Sequence, residues 1–189
     1  MYDDEFELTF DLSDKDEASR APEPEQEPVQ EAAPEPAAET EPPVEAVPEP
    51  AVPAANGRCV LISGGDRGIG AAAARAFWQA GYRVAVLYHT HAEAAAALEK
   101  ALPGLLAVQC DVASRASCEV AFHTVEQAVG HVDVLVSNAG IAQQKLFTDI
   151  TPEEWQHMLD VNLSGAFHLC QLALPGMIRR KAGRILTVS

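Results

Sequence analysis

The run CVLIS (59–63) passes straight into Ser63–Gly64–Gly65–Asp66–Arg67–Gly68–Ile69–Gly70 and then into AAAARAFWQAG. An apolar strand, a turn holding four glycines and an alanine-rich helix follow one another without a spare residue. No other feature narrows the possible folds as much. Glycines in such a turn allow a tight reversal and let the backbone approach a bound group. The helix N-terminus behind them presents outward N–H groups that suit a phosphate. A second strand, RVAVLYH (83–89), ends about 20 residues further on, the spacing a dinucleotide-binding unit requires. The glycine pattern alone is ambiguous, because GIGAAA (68–73) also fits G-x-G-x-x-A. The strand before it and the helix after it weigh against a merely structural turn.

The alternation continues to the last residue. AEAAAALEKAL (92–102) reads as helix closed by Pro103–Gly104, LLAVQCDV (105–112) as strand, and SRASCEVAFHTVEQAV (114–129) as helix. HVDVLVSNAG (131–140) reads as a strand entering a loop. Thr151–Pro152–Glu153–Glu154 predicts a helix start, with an N-cap, proline at the first helical position and acids against the dipole. That helix is expected to reach Arg180 with a break near Asn162, and RILTVS (184–189) follows the Lys181–Ala182–Gly183 turn as a fifth strand. Strictly alternating elements predict an α/β fold, a doubly wound parallel sheet with helices on both faces. Uninterrupted apolar strands such as CVLI and VLV fit burial on both sides.

Charge separates the chain into two parts. Residues 1–56 hold 17 of the 28 acids against two bases, Lys15 and Arg20, which leaves 11 acids and 11 bases for residues 57–189. Ten of the 13 prolines lie in the same N-terminal stretch, which has no aromatic residue after Phe10. Such a composition buries too little apolar area to offset its ordering entropy, so a disordered acidic tail is expected over 1–56 and a folded domain over 57–189. Within the tail, Phe6, Leu8, Phe10 and Leu12 alternate with polar residues. This is either a strand offered to a partner's sheet edge or a solvated acidic tip. The neutral domain lacks the basic stripe that a nucleic acid demands. No apolar run approaches the roughly 20 residues that cross a bilayer, so no membrane partner is expected. MYDDEFELTF puts acids where a signal peptide needs bases.

Cys59, Cys110, Cys118 and Cys170 show no C-x-x-C spacing and read as small buried hydrophobes, which points to the reducing cytosol. His89 and His91 form the one close histidine pair, but no third ligand lies nearby, so no metal site is expected. His123, His131, His157 and His168 read as structural and Lys145 as solvated. The end of the second strand bears on the cofactor. An NAD site places Asp or Glu there for the ribose 2′-hydroxyl, whereas a 2′-phosphate needs a positive neighbour. Here the residues are Tyr88–His89–Thr90–His91, with no acid before Glu93, and Arg67 stands in the glycine loop. A guanidinium grips phosphate in a forked geometry, so NADP(H) is favoured over NAD(H).

From about Gly57 to Ser189 the chain resembles the first two thirds of a short-chain dehydrogenase/reductase, and among these most resembles the 3-oxoacyl-[acyl-carrier-protein] reductases. Four motifs carry the likeness. Ser63 to Gly70 resembles T-G-x-x-x-G-x-G with serine for threonine. Asp111–Val112 follows the third strand, Asn138–Ala139–Gly140 matches N-N-A-G with Ser137 for its first asparagine, and Val161–Asn162–Leu163 matches the segment bearing the catalytic asparagine. The resemblance implies a Rossmann-type sheet. It implies cofactor contacts from Ser63, Gly64, Gly65, Asp66, Arg67, Gly68, Ile69 and Gly70, from His89, from Asp111 and Val112 at the adenine, and from Asn138, Ala139 and Gly140. It also implies a catalytic Asn162 holding a water that links a lysine to solvent. The plainer reading of Asn162 is a helix-interrupting residue that satisfies freed backbone groups.

The implied activity is NADPH-dependent reduction of a ketone, foremost a 3-oxoacyl group on acyl-carrier protein in fatty-acid synthesis, by a cytoplasmic homo-oligomer. A dehydrogenase for a sugar or another small alcohol, and a non-catalytic nucleotide-binding protein, are the alternatives. The family's proton donor is a tyrosine in Y-x-x-x-K following a serine, and none of Tyr2, Tyr82 and Tyr88 has lysine four residues on. That group is therefore expected beyond Ser189, and the 189 residues alone are expected to be an inactive part of a reductase. In the family's strand order, 3-2-1-4-5-6-7, RILTVS is internal. Here it is expected to be an open edge, beside a helix (162–180) that is apolar nearly all round.

Overall fold

The computed structural model describes residues 55–189. The expected disorder and the alternating Phe6–Leu12 segment lie outside the described residues. The elements run β1 (Cys59–Ser63), α1 (Gly68–Gln79), β2 (Arg83–Tyr88), α2 (Ala92–Ala101), β3 (Leu106–Gln109), α3 (Arg115–Val129), β4 (Val134–Ser137), α4 (Pro152–Leu159), α5 (Gly165–Arg180) and β5 (Arg184–Thr187). All strand pairs are parallel, in the order β3-β2-β1-β4-β5. Each predicted strand and helix is present, and the sheet is the Rossmann-type arrangement expected.

Alternate residues of β1 face opposite sides, and both sides are covered. Val60 and Ile62 join Ala74, Trp78, Val86 and Leu98 beneath α1 and α2. Leu61 joins Leu87, Leu135, Phe122, Val125 and Leu169 beneath α3 and α5. Every residue of β1 is buried, so the run is apolar without alternation. Full burial of one such side chain stabilises by about 1.5–3 kcal/mol.

Local chemistry ends the elements. Gly81, at φ +79°, donates its N–H to Trp78 O at 2.9 Å and turns the chain out of α1. At the start of α4, Thr151 Oγ1 accepts from Glu154 N–H at 3.2 Å while Glu154 Oε2 accepts from Thr151 N–H at 3.1 Å, a reciprocal capping box. The break expected near Asn162 is a π-helical turn, Asp160–Ser164, in which Gly165 N–H bonds Asp160 O.

Two details depart from the sequence reading. β3 stops at Gln109, because Asp111 N–H donates to Ser117 Oγ at 3.0 Å and Ala113 N–H donates to Asp111 Oδ1 at 3.0 Å, bending the chain toward α3. Asn56, assigned to the tail, donates its N–H to Gly81 O at 2.8 Å and its Nδ2 to Ala80 O at 2.9 Å. As expected, α5 runs on to Arg180, with Pro175 inside it.

Candidate functional site

β1 pairs with β2 on one side and β4 on the other, so the strand order reverses there and a crevice opens at the carboxyl ends. The glycine turn fills the base of that crevice. Gly64 and Gly68 take φ +61° and +53°, a region costly for side-chain-bearing residues. A Cβ on Gly70 would stand 2.1 Å from Gly64 O, and one on Gly65 would stand 2.6 Å from Val86 Cβ. Two of the glycines are thus required by packing and two by conformation. A Cβ on Gly68 would meet nothing within 4 Å. No side chain among the described residues caps the N-terminus of α1 there, so its first N–H groups remain available to an anion.

Ser63 and Asn138 lace the glycine turn to the end of β4. Ser63 Oγ accepts from the N–H groups of Asn138 and Ala139, both at 3.0 Å. Asn138 Nδ2 donates to Ser63 O and to Gly64 O, both at 3.0 Å. The hydroxyl matters here, which is why serine serves where the family pattern has threonine.

Above this base lies a cleft of about 330 Å³. Gly64, Asp66, Arg67, Gly68 and Ile69 line it from the turn, His89 from the end of β2, Asp111 and Val112 from beyond β3, and Asn138, Ala139 and Gly140 from beyond β4. Ser63, Gly65 and Gly70 do not line it; they shape its base through the contacts above. Asn162 does not line it either. Its Oδ1 accepts from Ile141 N–H at 2.8 Å and its Nδ2 donates to Ile141 O at 3.0 Å. The side chain therefore satisfies backbone groups of the loop after β4, not of its own helix. It ties the π-helical turn to Ile141, which does line the cleft.

Several cleft residues were not anticipated. His91 Nδ1 lies 3.4 Å from Asp66 Oδ2. Asp66 is 9% exposed, and that oxygen is buried with no hydrogen-bond partner among the described residues. An acid thus does approach the end of β2, brought from the glycine turn across 25 residues of sequence. Only its position in the turn was visible beforehand. His157, read as structural, lines the cleft from α4, and Cys110 lines it beside Asp111. Lys145 does not line the cleft; exposed, as read, it forms an ion pair with Glu154, and that hydrogen bond holds the Glu154 carboxyl below its ordinary range.

The chain belongs to the short chain dehydrogenase family, whose profile matches residues 58–189. It is 38% identical over 132 residues to the acetoacetyl-CoA reductase of Paracoccus denitrificans, covering 70% of this chain and 54% of that protein. It is 39% identical over 131 residues to the 3-oxoacyl-[acyl-carrier-protein] reductase MabA of Mycobacterium tuberculosis, covering 69% and 50% respectively. The crystal structure of gox2181 superposes with a TM-score of 0.65 at 31% identity, over 70% of this chain and 53% of that one. The chain therefore spans about half the length of the curated relatives it matches, somewhat less than the two thirds anticipated.

Proposed function

We propose that the cleft binds NADP(H) and that the protein serves the reduction of a 3-oxoacyl thioester, carried on acyl-carrier protein or coenzyme A, to its 3-hydroxy product. The observation that carries this reading is the packing-enforced glycine turn beneath an uncapped α1 N-terminus, opening on the cleft at the strand-order reversal. The residues fit the group. The open space at Gly68 and the free N–H groups of α1 suit a pyrophosphate. Arg67, His89 and His91 offer donors for a 2′-phosphate, while Asp66 faces His91. Asp111 and Val112 would border the adenine, and Asn138, Ala139 and Gly140 would line the cofactor, with its adenine end approaching Asn138. Bound there, the dinucleotide would supply a hydride for a carbonyl carbon. Asn162 acts as a positioning residue through Ile141. The names of the relatives support the substrate class.

Calorimetric titration of the chain with NADPH and NADH tests the cofactor. NADPH is expected to bind more tightly, and His89→Asp to move the preference toward NADH by repelling the phosphate. Tighter NADH binding by the unaltered chain would overturn the electrostatic reading. Residues 57–189 carry the whole of the proposed site, so deleting residues 1–54 leaves affinity unchanged. Turnover requires a proton donor, and no tyrosine of the 189 residues has the Y-x-x-x-K setting. The chain by itself is thus expected to bind cofactor without reducing acetoacetyl-CoA. A second copy of the chain is the proposed partner for the face of α5 that carries Phe167 and Ile178, 60% and 69% exposed. The reducing cytosol is the proposed compartment, in keeping with four unbridged cysteines and with no helix among the described residues long and apolar enough to span a membrane.

A further inference from the structure

Cys110 and Cys118 stand eight positions apart in sequence, one just past β3 and the other in α3, and neither takes part in the chemistry proposed above. The fold brings their sulfurs to 4.0 Å. Both are buried, Cys110 at 3% exposure and Cys118 at 0%, yet Cys110 lines the cleft. The Cys118 S–H has two acceptors in reach, Asp111 O at 3.9 Å and Val112 O at 3.5 Å, and Cys118 Sγ itself accepts from the Cys110 S–H at 4.0 Å. Ser117 Oγ reaches Cys110 Sγ at 3.8 Å while accepting from Asp111 N–H at 3.0 Å. The two thiols and Ser117 thus brace the Asp111–Val112 backbone from below.

We infer that Cys110 and Cys118 form a modification site, a vicinal dithiol that a small hydroperoxide reaching Cys110 through the cleft converts to an intramolecular disulfide. The Cys110 thiolate attacks the terminal peroxide oxygen. An S–O bond forms, the O–O bond breaks, and the departing alkoxide takes up the thiol proton to leave as an alcohol. Cys118 sulfur then attacks the Cys110 sulfenic sulfur; the S–S bond forms, the S–O bond breaks, and the hydroxide leaves as water with the Cys118 proton. The dithiol loses two electrons and two protons, and the peroxide gains both. The order follows from access, since Cys110 borders the cleft and Cys118 does not. It also agrees with the electrostatics: the hydrogen-bonded pairing with Cys118 draws the Cys110 thiol below its ordinary range against the opposing effect of burial, and the same pairing pushes Cys118 up.

A disulfide bond is about 2.05 Å long, so the sulfurs must close by about 2 Å. Cys118 then no longer offers a proton to Val112 O, and the Asp111–Val112 segment shifts with Cys110. Oxidation is therefore expected to weaken NADPH binding about tenfold, and bound NADPH to shield Cys110. This last link rests on reading the cleft as the cofactor site, whereas disulfide formation does not.

The test exposes the whole 189-residue chain to hydrogen peroxide, with and without saturating NADPH, and follows it by intact mass and peptide mapping. The expected product is lighter by two hydrogens, joins the Cys110 and Cys118 peptides, is reversed by dithiothreitol and forms at least about tenfold more slowly with NADPH. Cys118→Ala and Cys110→Ala should each abolish it. Sulfinic acid on Cys110 beside a free Cys118 thiol, a bridge to Cys170, or two free thiols after Cys170 has been oxidised would each overturn the inference. A chain that forms the bridge yet binds no NADPH would overturn the cofactor reading and leave the dithiol standing. A chain that binds NADPH and forms no bridge would do the reverse.

Discussion

The two flanks of β1 are built differently. Toward β2, five residues of each strand are in register, every residue of β1 is buried, and the glycine turn packs against Val86 with no room for a methyl group. Toward β4 and β5 the apolar surface turns outward. Among the described residues, every exposed large hydrophobic except Ile69 and Val120 lies after Gly140. Arg184, Leu186 and Thr187 of the edge strand β5 are exposed, in keeping with the open edge expected. The first flank is the more closely built, because its strands pair over longer runs and its glycine turn leaves no spare room. The second presents the kind of surface that marks an interaction. Substitutions should therefore cost folding energy on the first flank and alter association on the second.

The sharpest test of the first flank is Gly70→Ala. Its Cβ would meet Gly64 O at 2.1 Å and Asn138 Nδ2 at 2.7 Å, so the turn and the β4 end must separate. A loss of about 3 kcal/mol or more is expected in urea unfolding, with loss of NADPH binding. A near-neutral Gly70→Ala would show that this flank is not closely packed. Asn162→Ala comes next, at about 2 kcal/mol, as the exception on the second flank, because both polar groups of Ile141 lose their partners there. Asn162→Asp should recover part of this through the retained acceptor. Gly68→Ala should cost only about 1 kcal/mol, a conformational penalty at φ +53° without a clash. If it matched Gly70→Ala, backbone conformation and not packing would govern the turn.

What was legible in the sequence follows the same division. The order of strands and helices, the glycine turn, Gly81 and the T-P-E-E start all rest on local chemistry, where residue type and spacing decide the backbone. β3 was read too long because Cys110 and Val112 are apolar enough for a strand. What bends the chain is Asp111, whose neighbours bond through Ser117 Oγ and its own carboxylate. The contacts of Asp66 with His91, Asn162 with Ile141, and Cys110 with Cys118 were not legible. Each joins side chains whose meeting is set by the register and helix packing of the whole sheet. Asn162 illustrates the limit: its segment and helix break could be read, but not the backbone it satisfies.

On the second flank, Ile178→Ser and Phe167→Ser should change unfolding stability by no more than about 0.5 kcal/mol, since both side chains are already exposed. Their effect should appear in sedimentation, as a shift toward the monomer. A stability loss near that of Gly70→Ala would mean that these side chains support the fold itself.

The smallest effect belongs to Lys145 and Glu154, which join the loop after Gly140 to the start of α4. Glu154 serves two donors there, Lys145 Nζ and the Thr151 N–H of the capping box. Both favour the ionised carboxylate, with Lys145 the larger influence, so its pKa lies lower in the folded chain than in the unfolded one. The sign follows directly. This contribution is fully present above the unfolded value and is lost as pH falls through the folded one. It is slight because the pair lies at the surface, where solvent screens it. Nuclear magnetic resonance should detect it all the same: the Thr151 amide shifts and exchanges faster as pH drops through the carboxylate range, with a midpoint below that of an ordinary glutamate. Lys145→Ala should raise that midpoint, and Glu154→Gln should remove the transition. A Thr151 amide with the same pH dependence in Glu154→Gln would mean that another carboxylate governs the start of α4.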